Sequence, residues 1–192
     1  MVTSKPARYS RQGLWSLFLV CAFPLHVWTI ILAFRDFSWV AERTQPWDAL
    51  GVLAYALVFA FVESLVVFLA AILLGFLLPR RWEEGKRISL LSILVLVTAF
   101  WAMLGQLYFL WNLSLPEPAI QFLAQTAHPL RILYAAVLAL VVPTVLVPTY
   151  LILRSEGSTR FILGLVDRLS LLASIYLLLD AASLVVIVIR NL

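Results

Sequence analysis

Four polar side chains lie inside long apolar runs of this sequence, namely His26, Glu63, Gln106 and Asp180. Within a bilayer, an acid or a histidine can carry a proton, bind an ion or a ligand, or form a hydrogen bond between helices. A charged side chain that faces lipid costs roughly 2.5–3.5 kcal/mol on insertion scales. We therefore take these four residues as one candidate polar cluster, which Tyr176 joins because it lies one helical turn before Asp180.

Glu63 is the most informative candidate because it is the single acidic or basic residue in the run 49–78 and lies near the middle of that run. Its carboxyl can fix the register of packed helices, or it can bind a proton, an ion or a ligand, and both interpretations stay open. His26 and Gln106 are interpreted first as hydrogen-bonding groups between helices. Asp180 stays open between a functional residue and one that is merely solvated near the outer surface or bonded to Tyr176.

The runs that hold these residues place the chain in the membrane class. The sequence has 192 residues, of which 64% are hydrophobic and 12% are charged. A soluble domain is about half apolar and about a quarter charged, so this chain cannot cover itself with a water-facing surface. We predict an all-α integral membrane protein. The formal net charge of +4 does not indicate nucleic-acid binding, because the charges lie in short clusters between apolar runs.

Five apolar runs are long enough to cross a bilayer, since a transmembrane helix needs about 20 residues. The predicted spans are residues 13–34, 49–78, 88–111, 130–153 and 161–189. Residues 1–12 form a short basic cytoplasmic tail, and residues 13–192 form a single five-helix membrane domain. The first run exceeds the ~7–15 residues of a signal-peptide core, so we interpret it as a retained helix.

The connections between the runs carry weaker signals. Residues 35–48 and 112–130 contain aromatic and apolar residues that favour short surface helices at a membrane boundary. Asp48 is the predicted N-cap of the second span. Pro143 and Pro148 interrupt the fourth span and predict a helix kink.

The basic residues predict the orientation. With a cytoplasmic N-terminus, the inner segments hold ten Lys and Arg residues and the outer segments hold four. The positive-inside rule favours this arrangement, which places the C-terminus outside the cytoplasm. We expect a multi-pass protein of the cell membrane, and the general character of the chain suggests a bacterial inner membrane.

Several kinds of chemistry are not indicated. Cys21 is the only cysteine, so an intrachain disulfide or a cysteine-based metal site is excluded. The two histidines, His26 and His128, do not form an HExxH motif, and the sequence contains neither a P-loop nor a GxGxxG pattern. We therefore predict no metal and no cofactor.

Three functions remain open. The first is an accessory or partner subunit of a membrane complex, or a homo-oligomer, because the loops are short and no catalytic motif is present. The second is a small transporter or channel component that moves protons or a small solute along a path lined by Glu63, His26 and Asp180. The third, which the short outer loops disfavour, is an enzyme on a lipid-linked substrate at the outer leaflet, with candidate residues Asp180, Gln106, His128 and Glu117.

Overall fold

The computed structural model describes residues 9–192, and within this range the chain forms seven helices and no strand. The helices are α1 (Arg11–Arg35), α2 (Phe37–Arg43), α3 (Pro46–Leu77), α4 (Glu84–Leu110), α5 (Glu117–Ala124), α6 (Pro129–Arg154) and α7 (Glu156–Asn191). The predicted all-α class is confirmed. Residues 1–8 of the predicted basic tail lie outside the described residues.

Helices α1, α3, α4, α6 and α7 are each long and apolar enough to cross a membrane. Their ends differ from the five predicted spans by at most five residues. The largest difference is at α7, which begins at Glu156 because the side chain of Ser155 accepts a hydrogen bond from the backbone N–H of Ser158, at 3.3 Å. This N-cap starts the helix five residues before position 161.

The two ends of the bundle differ. The short helices α2 and α5 follow the C-terminal ends of α1 and α4 and contain no buried residue. We call this the short-helix end. The opposite end, where α1 begins, carries Arg80, Arg81, Lys86 and Arg87 between α3 and α4 or at the start of α4, and we call it the basic end.

Helix α1 lies at the centre of the bundle, packed against α3, α4 and α7. All six residues from Leu17 to Ala22 are buried. Successive residues of an α-helix point about 100° apart, so an unbroken run of this length can be buried only where neighbours enclose the helix on every side. Helix α3 approaches closely through a buried stripe of small residues that includes Ala60, Ser64 and Gly75.

Helix α6 lies at the edge of the bundle, and Ile152 is its only buried residue. It packs on α4 and α7, and the indole N–H of Trp101 donates a 3.0 Å hydrogen bond to the hydroxyl of Thr144. The helix continues through Pro143 and Pro148, so the predicted kink stays a prediction.

The predicted N-cap at Asp48 is wrong. The second long helix begins at Pro46 with Gln45 as its N-cap, because proline is preorganised for the first helical position and needs no N–H partner there. Asp48 instead lies in the first turn and accepts a 2.8 Å hydrogen bond from the guanidinium of Arg190.

Candidate functional site

The candidate residues Glu63 and His26 lie at nearly the same level of the bundle. Leu17 of α1 and Ala71 of α3 share one core cluster, and Gly75 of α3 lies against Tyr9 just before α1, so the two helices run in opposite directions. Leu25 lies eight residues after Leu17, and Glu63 lies eight residues before Ala71. Because the helices are antiparallel, Leu25 and Glu63 therefore lie at one level.

His26 is fully buried and bonded at both ring nitrogens. Its Nε2 lies 3.0 Å from each carboxylate oxygen of Asp180, and its Nδ1 lies 2.8 Å from the carbonyl oxygen of Ala22. Asp180 is itself only 4% exposed. The contact joins α1 to α7 across 154 residues of sequence.

The partners of His26 define where its protons are. A backbone carbonyl only accepts hydrogen bonds, so Nδ1 must carry a hydrogen that it donates to Ala22. The contact between Nε2 and the carboxylate of Asp180 also needs a proton, which either group can hold. The pair is therefore neutral overall and holds one shared proton, and no ring nitrogen is left for a metal or a substrate.

Aromatic rings stack on the histidine of this pair. The ring of Tyr176 stacks on His26 with centroids 5.6 Å apart and planes 8° apart, and Phe23 stacks on Tyr176 at 6.2 Å. Tyr176 lies one turn before Asp180, so α7 supplies both the acid and the covering ring. We call the three residues His26, Asp180 and Tyr176 the buried latch.

Glu63 has a different environment. It is exposed and lines a cavity of about 1340 Å³ that is bounded by α1, α2, α3 and, at Gln106, by α4. Phe59 and Val66 line the same cavity and are 64% and 61% exposed, so the cavity opens on the outer surface of the bundle. We call it the lateral groove.

Two polar side chains of the lateral groove, Glu63 and Gln106, have no partner within the part of the chain that the structure describes. Glu63 and Gln106 form no hydrogen bond or ion pair with any of residues 9–192. By residue count from the core cluster of Leu17 and Leu91, Gln106 lies about 10 Å farther than Glu63 toward the short-helix end. The two side chains therefore line one groove at different levels.

The predicted polar cluster is divided into two groups, the buried latch and the lateral groove. Asp180 borders a second cavity of about 650 Å³, which Phe61 of α3 also lines. Phe61 and Glu63 are two residues apart, so they project about 160° apart around α3. The two groups are separate because α3 turns Glu63 away from the side that meets α7.

The remaining candidates lie apart from both groups. Exposed His128 is the residue before α6, and Glu117 begins α5 and accepts a 3.3 Å hydrogen bond from the side chain of Gln121. Both are at the short-helix end, whereas Asp180 is buried in the latch. The structure does not bring the proposed residues for a lipid-linked substrate together.

One polar contact was missed from the sequence. Arg190, in the last turn of α7, donates to Asp48 and to the carbonyl of Trp47, each at 2.8 Å. Its guanidinium lies over Gly51 and occupies the space that a Cβ would need there. The sequence did contain a signal for this contact. It places a basic residue in the last turn of one helix and an acidic residue in the first turn of another, and both turns lie at the same end of the bundle.

Comparison of the chain with protein-family models, with curated proteins and with solved structures finds no match in any of the three. The roles of the buried latch and the lateral groove must therefore be inferred from their geometry and chemistry. In the latch, His26 and Asp180 are buried and hydrogen-bonded to each other. The groove is open, and it contains an ionisable group with no partner among residues 9–192.

Proposed function

We propose that this chain is a multi-pass membrane protein that serves as an accessory subunit of a membrane complex. The observation that carries the proposal is the outward position of Glu63, near the middle of a 32-residue apolar helix. In a bilayer the lateral groove opens toward the acyl chains, where a carboxyl without hydrogen bonds is costly. A helix of another subunit would remove that cost by covering the groove.

The orientation of the bundle belongs to this proposal. The basic end faces the cytoplasm, following the positive-inside rule, and the short-helix end faces outward with Trp39, Trp47 and Trp111 at the interface. The N-terminus is then cytoplasmic, the C-terminus is extracytoplasmic, and the membrane is a bacterial inner membrane.

The contrast between the latch and the groove supports a subunit over a transporter. A transport path through Glu63, His26 and Asp180 requires the three groups around one cavity. Glu63 and Asp180 instead line separate cavities, and His26 is fully buried. A proton path stays the second candidate, because the latch holds a shared proton beside the second cavity. Proton flux in proteoliposomes that is unchanged by Asp180→Asn would remove it.

Affinity purification from the native membrane tests the subunit proposal. The tagged chain, extracted in a mild detergent, is expected to retain another membrane protein at a constant molar ratio. Glu63→Gln should reduce that retention, whereas Asp167→Asn, which changes an exposed acid of α7, should leave it unchanged. A purified chain that is a stable monomer, with no protein retained at a constant ratio, would refute the proposal.

Cysteine labelling tests the orientation. Single cysteines at Glu83 and Pro118, at the basic end and the short-helix end respectively, are introduced into a Cys21→Ala background. A membrane-impermeant maleimide applied to intact cells is expected to label only the cysteine at position 118. Labelling only at position 83 would reverse the orientation.

A further inference from the structure

The lateral groove is acidic. Only two titratable acidic or basic residues line it, Asp36 and Glu63, and no Lys, Arg or His among the described residues does so. Asp36 has a loose, exposed contact with its neighbour Arg35, at 3.8 Å, and Glu63 has no partner among residues 9–192. The groove is thus acidic although the whole chain carries a formal charge of +4. Its two acids favour an occupant that is positively charged.

The two acids lie along the axis of the groove. Glu63 is level with Leu25, and Asp36 follows Leu25 by 11 residues, so the carboxylates are separated by about 16 Å in depth. Eleven residues also make about three helical turns. A helix lying in the groove can therefore present two basic residues on one face, one to each acid.

The dimensions of the groove match a helix face. Its α3 wall extends from Pro46 to Val67, which corresponds to about 32 Å at ~1.5 Å per residue. A volume of about 1340 Å³ over that length gives a mean cross-section of about 40 Å², a little under half that of an α-helix with its side chains. Pockets for drug-sized molecules are smaller, about 300–1,000 Å³.

We propose that the lateral groove binds one face of a single transmembrane helix from the partner subunit, and that this helix carries a Lys or Arg paired with Glu63. The inference rests on the proposed function and names the partner's chemistry. Trp28 and Phe59 line the groove near Glu63 and supply aromatic faces that also favour a cation. Gln106 offers both a donor and an acceptor to the same helix.

Photo-crosslinking from the groove tests the contact. p-Benzoylphenylalanine replaces Phe59 in the groove and, as a matched control, Leu178, which is 71% exposed on α7. In native membranes we expect position 59 to form an adduct within an apolar segment of at least about 18 residues that contains a Lys or Arg. Position 178 should give at least about tenfold less of that adduct.

A charge swap tests the pairing. Glu63→Gln, which is nearly isosteric, should lower the position-59 adduct about tenfold, and Glu63→Lys should lower it further. Changing the partner's Lys or Arg to Glu in the Glu63→Lys background should restore the adduct to at least half. Thermal unfolding in detergent confirms that each Glu63 variant is folded.

Other outcomes overturn the inference. They are an adduct with lipid or a small cationic molecule only, an adduct segment without a basic residue, equal adducts at positions 59 and 178, or no effect of either Glu63 variant. If a protein is retained at constant ratio while one of these results is found, the groove assignment fails and the accessory role stands. If no protein is retained, the accessory role itself fails.

Discussion

The buried latch and the lateral groove place a carboxyl group at nearly the same level of the bundle, yet their surroundings are opposite. Asp180 is 4% exposed and contacts His26, whose ring stacks on Tyr176. Glu63 is exposed and meets no polar partner within residues 9–192. The level of an acid in the bundle therefore does not decide its surroundings, whereas the helix face on which it lies does.

Loss of the carboxyl group should also have different effects in the two regions. A buried, hydrogen-bonded pair of an acid and a histidine is costly to break, because removal of one partner leaves the other without its hydrogen bond or its counter-charge. An outward-facing carboxyl contributes little to the packing of its own bundle. Its loss should therefore weaken the binding of a partner that covers it, with little effect on folding. The latch is therefore expected to govern folding, and the groove is expected to govern association.

The largest effect is expected from breaking the latch. Asp180→Ala removes the acid from buried His26 and should lower the free energy of unfolding by about 3–5 kcal/mol. Denaturant titration in mixed micelles measures this change. The matched control is Asp167→Ala, an exposed acid on the same helix, which should change the value by less than about 0.5 kcal/mol. Equal losses in the two variants would show that the latch does not stabilise the fold.

Removing both members of the latch should be milder than the sum of the single changes. In a double-mutant cycle with His26→Leu and Asp180→Leu, the double variant leaves neither group buried without its partner. We expect a coupling energy of about 2–3 kcal/mol from the same titrations. Additive losses would contradict a direct interaction between these two side chains.

Ser64 and Glu63 are neighbours in α3, but one is buried and the other is exposed. Substitutions at the two positions therefore distinguish an effect on packing from an effect on association. Ser64 is fully buried on the small-residue stripe, and its hydroxyl donates to the carbonyl of Ala60 at 2.7 Å. Ser64→Leu should lower the free energy of unfolding by about 1–3 kcal/mol because it overpacks the contact. Ser64→Ala keeps the small size and serves as the control, with a clearly smaller loss expected.

The smallest effect on stability is expected at the groove. Glu63→Leu should change the free energy of unfolding of the purified chain by less than about 0.5 kcal/mol, because Glu63 is exposed and no hydrogen bond or ion pair with residues 9–192 is lost. Retention of a partner from native membranes should nevertheless fall at least about tenfold. A loss of stability comparable to that of Ser64→Leu would indicate that Glu63 is a structural group after all.

The sequence was informative about the helices because their signal is local. Apolar length alone predicts the five long helices, and their ends are found within five residues. The start of α7 was the poorest estimate, because Gly157 and Ser158 are weak helix formers and the cap by Ser155 overrides them. The short helices α2 and α5 fall within the segments predicted to lie at the membrane boundary.

The division of the polar residues was not predictable from the sequence. Depth follows from counting residues, so the similar levels of His26 and Glu63 could be estimated. Lateral position depends on which helix faces pack together. Small residues lie near Glu63 on more than one face of α3, so they do not mark a single packing face. The sequence therefore could not show that α7 meets the Phe61 side and leaves Glu63 exposed.

The span between the two halves of the latch has a consequence during synthesis. His26 and Asp180 are separated by 154 residues, and chains are elongated at about 5–20 residues per second. Asp180 is therefore synthesised about 8–30 s after His26. During that time α1 lacks α7, one of the helices that pack against it. During that interval the histidine of α1 lacks the hydrogen-bond partner that α7 later supplies.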